Sequence, residues 1–134
     1  MLETALVLTA MVAMLIFVMD MGRVLLIQQW VGERARATAR TAAVNTWYSD
    51  STSIANFLVY NSTTAPDGGG PGYLGLQTSQ VSSSLLGTVG TPDYRLQVKV
   101  TGVPVLTWIP YMPHTYTLAP IVATMPAESL GVTN

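Results

Sequence analysis

The stretch Ala5–Met19 reads ALVLTAMVAMLIFVM, fifteen residues without a formal charge. The rest of the chain is rich in Ser, Thr and Gly and is far less apolar. Across all 134 residues, 49% are hydrophobic and 10% are charged, whereas about a quarter of the residues are charged in typical soluble domains. This uneven distribution predicts an apolar rod that is joined to a polar head.

The rod is predicted to be one nearly continuous helix from Leu2 to about Trp47. This part of the chain lacks proline, and its only glycines are Gly22 and Gly32. Good helix formers dominate it, and about 45 residues at 1.5 Å each give a length close to 70 Å. The first half is hydrophobic on all sides, which suits lipid or a protein core. A soluble domain of this size could not cover a rod of that length, so we expect much of it to be covered by lipid or by other chains.

The second half of the rod changes character. Apolar and mostly small residues recur every four positions, with arginines beside them, which is typical of an amphipathic helix that faces a partner. The partner is predicted to be the chain's own C-terminal part, to which Trp108 also belongs. The residues expected at this contact between head and helix are Val31, Ala35, Ala39, Ala43, Trp47 and Trp108.

The predicted fold class is α+β, with a helix over residues 1–48 and a small antiparallel β head over residues 49–134. Within the head, Tyr94–Thr101 and His114–Thr124 alternate between apolar and polar residues, which predicts an antiparallel pair of half-buried strands. Ile54–Tyr60 fits either a strand or a short buried segment. Val103–Pro113 contains three prolines and is predicted to be an extended loop that pairs poorly.

Three charged residues, Glu3, Asp20 and Arg23, lie in or beside the hydrophobic half of the rod. Each requires a stabilising partner or position, because a charge inside a bilayer costs a few kcal/mol. Asp20 and Arg23 are three positions apart, so they either reach the membrane boundary or pair within or between subunits. Glu3 is either stabilised by the helix dipole at the N-terminus or pairs with the α-amino group of a neighbouring subunit. Both alternatives stay open on the sequence.

Several function classes are disfavoured by composition. Six basic and seven acidic residues give a net charge of −1, and no basic block exists of the kind that nucleic-acid binding requires. The absence of cysteine excludes disulfides, thiolate catalysis and cysteine-based metal sites. His114 is the only histidine, and no acid lies near it in sequence. We therefore expect no catalysis, no cofactor, no metal and no nucleic-acid partner.

Four stretches together resemble the TadE-like pseudopilins of tight-adherence pilus systems, a branch of the type IV pilin superfamily. They are Glu3–Leu8, Asp20–Arg23, Ile27–Ala43 and the tail Tyr116–Met125, continued through Glu128. The family usually has proline after its Leu-Val-Leu run, where this chain has Thr9, so the helix is expected to be less kinked here.

The resemblance implies a homo-oligomer in the form of a helical filament. It also implies export through pilus assembly machinery and processing by a prepilin peptidase. Such a chain resides in the inner (cytoplasmic) membrane before assembly and in an extracellular, cell-surface filament afterwards. Nothing basic precedes the apolar run, and we expect that a short basic leader before Met1 was removed. The residues expected at inter-subunit contacts are Glu3, Leu6, Leu8, Leu15, Phe17, Asp20, Arg23 and Trp30.

The leading hypothesis is a pilin-like structural subunit of a type IV-like filament. One alternative is a minor pseudopilin that stays in the membrane and primes assembly. Another is a single-span anchored module whose head binds a ligand.

Overall fold

The computed structural model describes residues 2–45, 47, 49–108 and 115–127. Its first element, α1, is a single helix over Leu2–Val44, which confirms the predicted rod and ends it three residues early. The helix continues through Thr9, whose hydroxyl donates a hydrogen bond of 2.8 Å to the carbonyl of Ala5. This bond keeps a polar hydroxyl satisfied without water, as a helix in lipid requires.

A second helix, α2, spans Ser51–Tyr60, where the sequence left a strand or a short buried segment open. It begins where it does because the carboxylate of Asp50 accepts hydrogen bonds from the backbone N–H groups of Thr52 and Ser53, as a helix N-cap does. It ends at Asn61, which adopts a left-handed conformation. Its apolar side is buried in the protein core.

The cap of α2 predicts a pH dependence of stability. The hydroxyl of Ser53 and the backbone N–H groups of Ser53 and Thr52 lower the pKa of Asp50 below its usual 3.8. Since the folded pKa is depressed, this stabilisation is complete above pH 3.8 and is lost as the pH falls through the folded value. We expect Asp50→Ala to lower the melting temperature of the micelle-solubilised chain at neutral pH.

The matched variant for this prediction is Asp50→Asn, which keeps a side-chain acceptor but removes the titration. Thermal unfolding followed by circular dichroism between about pH 2 and pH 6 should show a flatter acid limb for Asp50→Asn than for the natural chain. Equal acid limbs for the two proteins would contradict the role assigned to this carboxylate.

The head contains a three-stranded antiparallel sheet. Its strands are β1 (Val81–Leu86), β2 (Arg95–Val100) and β5 (Ile121–Pro126), in the order β1-β2-β5. Alternate residues of β2 are buried, which confirms the strand predicted over Tyr94–Thr101. The antiparallel pairing of this strand with the C-terminal segment is also confirmed. Two short 3₁₀ helices precede β1, at Tyr73–Gly75 and Thr78–Gln80.

A separate two-stranded ribbon corrects two predictions. Pro104–Leu106 forms β3 and pairs antiparallel with β4 (Thr115–Thr117), so this part of the predicted loop is a strand. Proline is tolerated because Pro104 is the first residue of its strand and the ribbon has only two strands, where a ladder N–H can be spared. The C-terminal segment is likewise two strands, β4 and β5, rather than one.

One hydrophobic cluster connects α1, α2 and the three-stranded sheet. It contains residues of α1, α2 and the sheet, with Val31, Ala35, Ala39, Ile54, Leu58, Leu96 and Val98 at its centre. The second half of α1 is therefore part of the core of the head, and the architecture is α+β as predicted. The division into residues 1–48 and 49–134 stays a prediction, because the cluster draws on both ranges.

The buried stripe of α1 drifts away from the predicted four-residue spacing. Val31, Ala35 and Ala39 are buried, but Thr38 and Ala42 continue the stripe and Ala43 is only half-buried. The reason is helical geometry, since four residues turn a helix by about 400° and each repeat therefore rotates the stripe by about 40°.

Candidate assembly surface

The first half of α1 exposes apolar side chains that the rest of the chain does not cover. An eighteen-residue window of α1 has a mean hydropathy of 2.3, and none of it is buried within the chain. A core helix of a soluble protein with this composition would be mostly buried. Among the described residues, α1 is the one helix long and apolar enough to cross a membrane. We call residues 2–19 the apolar segment.

The apolar segment is hydrophobic on every side. Successive residues of a helix are about 100° apart, so Leu8 and Leu15 point in nearly the same direction, and Leu6 and Phe17 point in the opposite one. All four side chains are exposed. A surface of this kind needs an apolar surrounding on all sides, which a bilayer or several sister helices provide and a single docking partner does not.

Asp20 directly follows the apolar segment, and the head covers it. Its carboxylate Oδ2 accepts a hydrogen bond of 2.5 Å from the backbone N–H of Trp108, and the residue is only 8% exposed. Arg23 is exposed, and no ion pair joins it to Asp20 in the described part of the chain, where Arg36 and Glu33 form one at 3.0 Å. The intramolecular pair is thus not formed, and pairing of Asp20 or Arg23 between subunits stays a prediction.

Trp108 differs from its prediction. The indole is 74% exposed and is therefore not packed in the core, whereas the backbone N–H of this residue contacts the helix at Asp20. In a strand such as β3 (Pro104–Leu106), successive side chains lie on opposite sides, and the alternation of burial continues for two residues beyond it. Val105 and Thr107 are buried, and therefore Leu106 and Trp108 face outward.

The contact between Asp20 and Trp108 gives a testable effect. We expect Asp20→Ala to leave the part-buried Trp108 N–H without its acceptor, which costs about 1 kcal/mol, near the lower end of the range for a donor that is fully buried. Asp20→Asn keeps an acceptor and should lose less. Amide hydrogen exchange at Trp108 measures the difference, with Arg23→Ala as an exposed control that should change nothing. Equal protection in all four proteins would show that the bond does not hold the head on the helix.

The second half of α1 is fixed to the head by several contacts. Val31, Ala35 and Ala39 are at most 1% exposed. Trp47 is half-buried and packs edge-on against Phe57 at 5.5 Å between ring centroids.

Two further ties come from α1 side chains outside the small-residue stripe. The Nε of Arg34 donates a hydrogen bond of 2.6 Å to the carbonyl of Leu58. No local sequence pattern predicts this contact, because the two residues are 24 positions apart. Trp30 is half exposed and stacks at 5.2 Å on Tyr73. Trp30 therefore has a partner inside the chain, and its inter-subunit role stays a prediction.

Glu3 and His114 are the two predicted or singled-out residues that remain to be located. Glu3 lies in the first turn of α1 and is exposed, so it is available to a neighbour, and its partner stays a prediction. No group of three or more metal-ligating side chains occurs among the residues that the structure describes. His114 lies outside the described residues.

The N-terminal part of α1 is similar to a known protein family. Residues 1–40 match the family model for TadE-like protein. This match confirms the resemblance noted from the helix, and it includes Glu3, Asp20 and Arg23. The match relates residues 1–40 to a pilus-related family, and the helix in this region is long and apolar enough to cross a membrane. The searches of curated proteins and of solved structures gave no match, and the likeness of the tail Tyr116–Met125 to the family stays a prediction.

Proposed function

We propose that the chain is a pilin-like structural subunit of an extracellular, type IV-like filament. In this proposal the TadE-like helix anchors the subunit in the cytoplasmic membrane and then becomes part of the filament core. The pilus assembly machinery and a prepilin peptidase are its partners, sister chains are its neighbours, and its role is structural rather than catalytic.

One observation carries the proposal, namely that a single helix is used in two different ways. Its second half is in the core of the head, while the apolar segment extends about 27 Å, at 1.5 Å per residue, without any cover from its own chain. A fold that needed α1 only for its own stability would begin the helix near Asp20, because the residues before it are not covered by the head. The extra length makes sense if other molecules cover it.

The exchange of lipid for sister helices is physically reasonable. Lipid tails are as apolar as leucine, so association of helices in a membrane depends on close packing and is helped by small residues. The apolar segment carries Ala5, Ala10 and Ala13 among its larger side chains. These give neighbouring helices places of close approach without exposing any charge.

Cysteine cross-linking tests the proposal cleanly, because the chain has no cysteine of its own. In sheared surface material, Phe17→Cys and Leu8→Cys are expected to give ladders of cross-linked subunits on treatment with a short bifunctional reagent. Val89→Cys, an exposed position of the head, is the matched control and should cross-link much less. The absence of surface filaments and of ladders would contradict the filament role.

The same experiment separates the alternatives. A minor subunit that primes assembly would cross-link in the membrane fraction and be rare in sheared filaments. An anchored binding module would stay monomeric in both fractions. The two results thus distinguish a priming role, a binding role and the filament role that we propose.

A further inference from the structure

The β3–β4 ribbon presents apolar side chains to the outside. Leu106, the last residue of β3, is 58% exposed, and Trp108, two residues further along the chain, is 74% exposed. No charged residue occurs in residues 104–108 or 115–119. A large exposed indole beside an exposed leucine is unusual on a surface that meets only water, and such pairs mark an interaction site.

The position of the ribbon along α1 indicates what this site meets. One cavity of about 240 Å³ is lined by Asp20, Met21 and Val24 of α1 and by Thr107 and Tyr116 of the ribbon. The start of β5, in contrast, lies beside Gly32, to which Ile121 is the nearest side chain. Of the head strands that the structure describes, those of the ribbon therefore lie closer to the apolar segment than β5 does.

We propose that Leu106 and Trp108 form an interfacial anchor that rests on the lipid surface while the subunit is in the membrane. The occupant of this surface is the headgroup and upper acyl-chain region of the bilayer. The inference rests on the membrane-anchored stage of the proposed function and does not depend on the filament.

The length of the apolar segment agrees with a position of Trp108 at the lipid surface. The eighteen residues of the apolar segment span about 27 Å, close to the roughly 30 Å of a hydrocarbon core. Asp20 then lies at the boundary of the core on the side of the head. The backbone N–H of Trp108 donates to Asp20, so the indole is held at the same depth. Tryptophan prefers this interfacial depth because its ring is apolar and its N–H is polar.

The same contact explains how Asp20 is tolerated there. A carboxylate at the edge of the hydrocarbon needs donors that are not water, and the amide of Trp108 is one. The ribbon thereby performs two linked tasks, since it covers the acid and brings an uncharged, apolar surface to the lipid. The head would be held at a fixed height above the bilayer, ready for extraction by the assembly machinery.

Depth-dependent fluorescence quenching tests the inference on the full chain. The chain has three tryptophans, and Trp30→Phe with Trp47→Phe leaves Trp108 as the sole emitter. In phosphatidylcholine vesicles at high lipid-to-protein ratio, lipids brominated near the glycerol end of the acyl chain should quench this emission several-fold more strongly than lipids brominated near the chain terminus. The matched control is the chain that keeps only Trp47, 27 positions beyond Asp20, which neither lipid should quench.

A third protein keeps the inference separate from the proposed function. In a chain with all three tryptophans replaced by phenylalanine, Phe17→Trp reports on insertion of the apolar segment. Quenching of this emitter without quenching of Trp108 would overturn the anchor and leave the membrane stage intact. Quenching of neither would overturn both. Emission of Trp108 that shifts to the blue only in assembled filaments would identify a second copy, not lipid, as the occupant and would also overturn the anchor.

Discussion

Replacing Met11 by arginine is expected to abolish filament assembly and to reduce membrane insertion strongly. Met11 lies near the middle of the apolar segment, and its side chain is exposed. An arginine at the centre of a membrane helix costs about 2.5–3.5 kcal/mol on insertion scales, which corresponds to roughly a hundredfold in the insertion equilibrium. Within a bundle of sister helices the same charge would be buried without a partner, at a cost of several kcal/mol more.

Membrane fractionation and imaging of sheared filaments measure the two effects of Met11→Arg separately. The conservative control is Met11→Leu, a volume-conserving change that is expected to leave both unchanged. Val89→Arg adds the same charge to an exposed turn of the head and should also be neutral. Normal filaments from Met11→Arg would mean that the apolar segment does not lie in the filament core.

The sequence predicts well those elements of the fold that have a repeated residue pattern, namely α1 and β2. The absence of proline over residues 2–44 predicts α1, and the alternation of Arg95–Val100 predicts β2 and its buried face. Both patterns repeat the same local preference several times, so tertiary contacts do not need to decide the outcome. The matched residues 1–40 belong to the same clearly patterned part of the chain.

Short segments were less predictable, because one capping contact or one pairing partner decides them. Ile54–Tyr60 is rich in residues that also suit strands, and the cap at Asp50 makes it helical. Three residues of β3 become a strand only because Thr115–Thr117 lies beside them. Neither outcome is visible in a window of the sequence, since each depends on a specific hydrogen-bond partner.

The assembly surface likewise combines features that the sequence predicts with one that it does not. The exposed leucines and the phenylalanine of the apolar segment follow from composition alone. The fate of Asp20 does not, because its partner Trp108 is 88 positions away. Sequence spacing left open whether Asp20 pairs with Arg23 or lies at the membrane boundary, and it gave no sign of the backbone donor that the head supplies. A charged residue at the end of an apolar run is thus best assigned after the head has been placed.

The largest effect on folding is expected from removing α1 entirely. A chain that starts at Ser49 lacks Val31, Ala35, Ala39 and Ala42, all members of the hydrophobic cluster. Removing them opens the core around Ile54, Leu58, Leu96 and Val98, each fully buried in the natural chain. A fully buried aliphatic side chain contributes about 1.5–3 kcal/mol, so exposing a few of them removes about as much as the 5–15 kcal/mol that stabilises a typical domain.

The decisive comparison is with a chain that starts at Leu26. This shorter truncation removes the apolar segment but retains the buried stripe of α1, so it is expected to be soluble without detergent and to unfold cooperatively on heating. The chain from Ser49 should instead show no cooperative transition by circular dichroism. Cooperative unfolding of the chain from Ser49 would mean that the head is independent of its helix, as an anchored binding module requires. Failure of the chain from Leu26 to fold would mean that the apolar segment serves the head itself, because the same helix then could not be shared between a folded head and its neighbours.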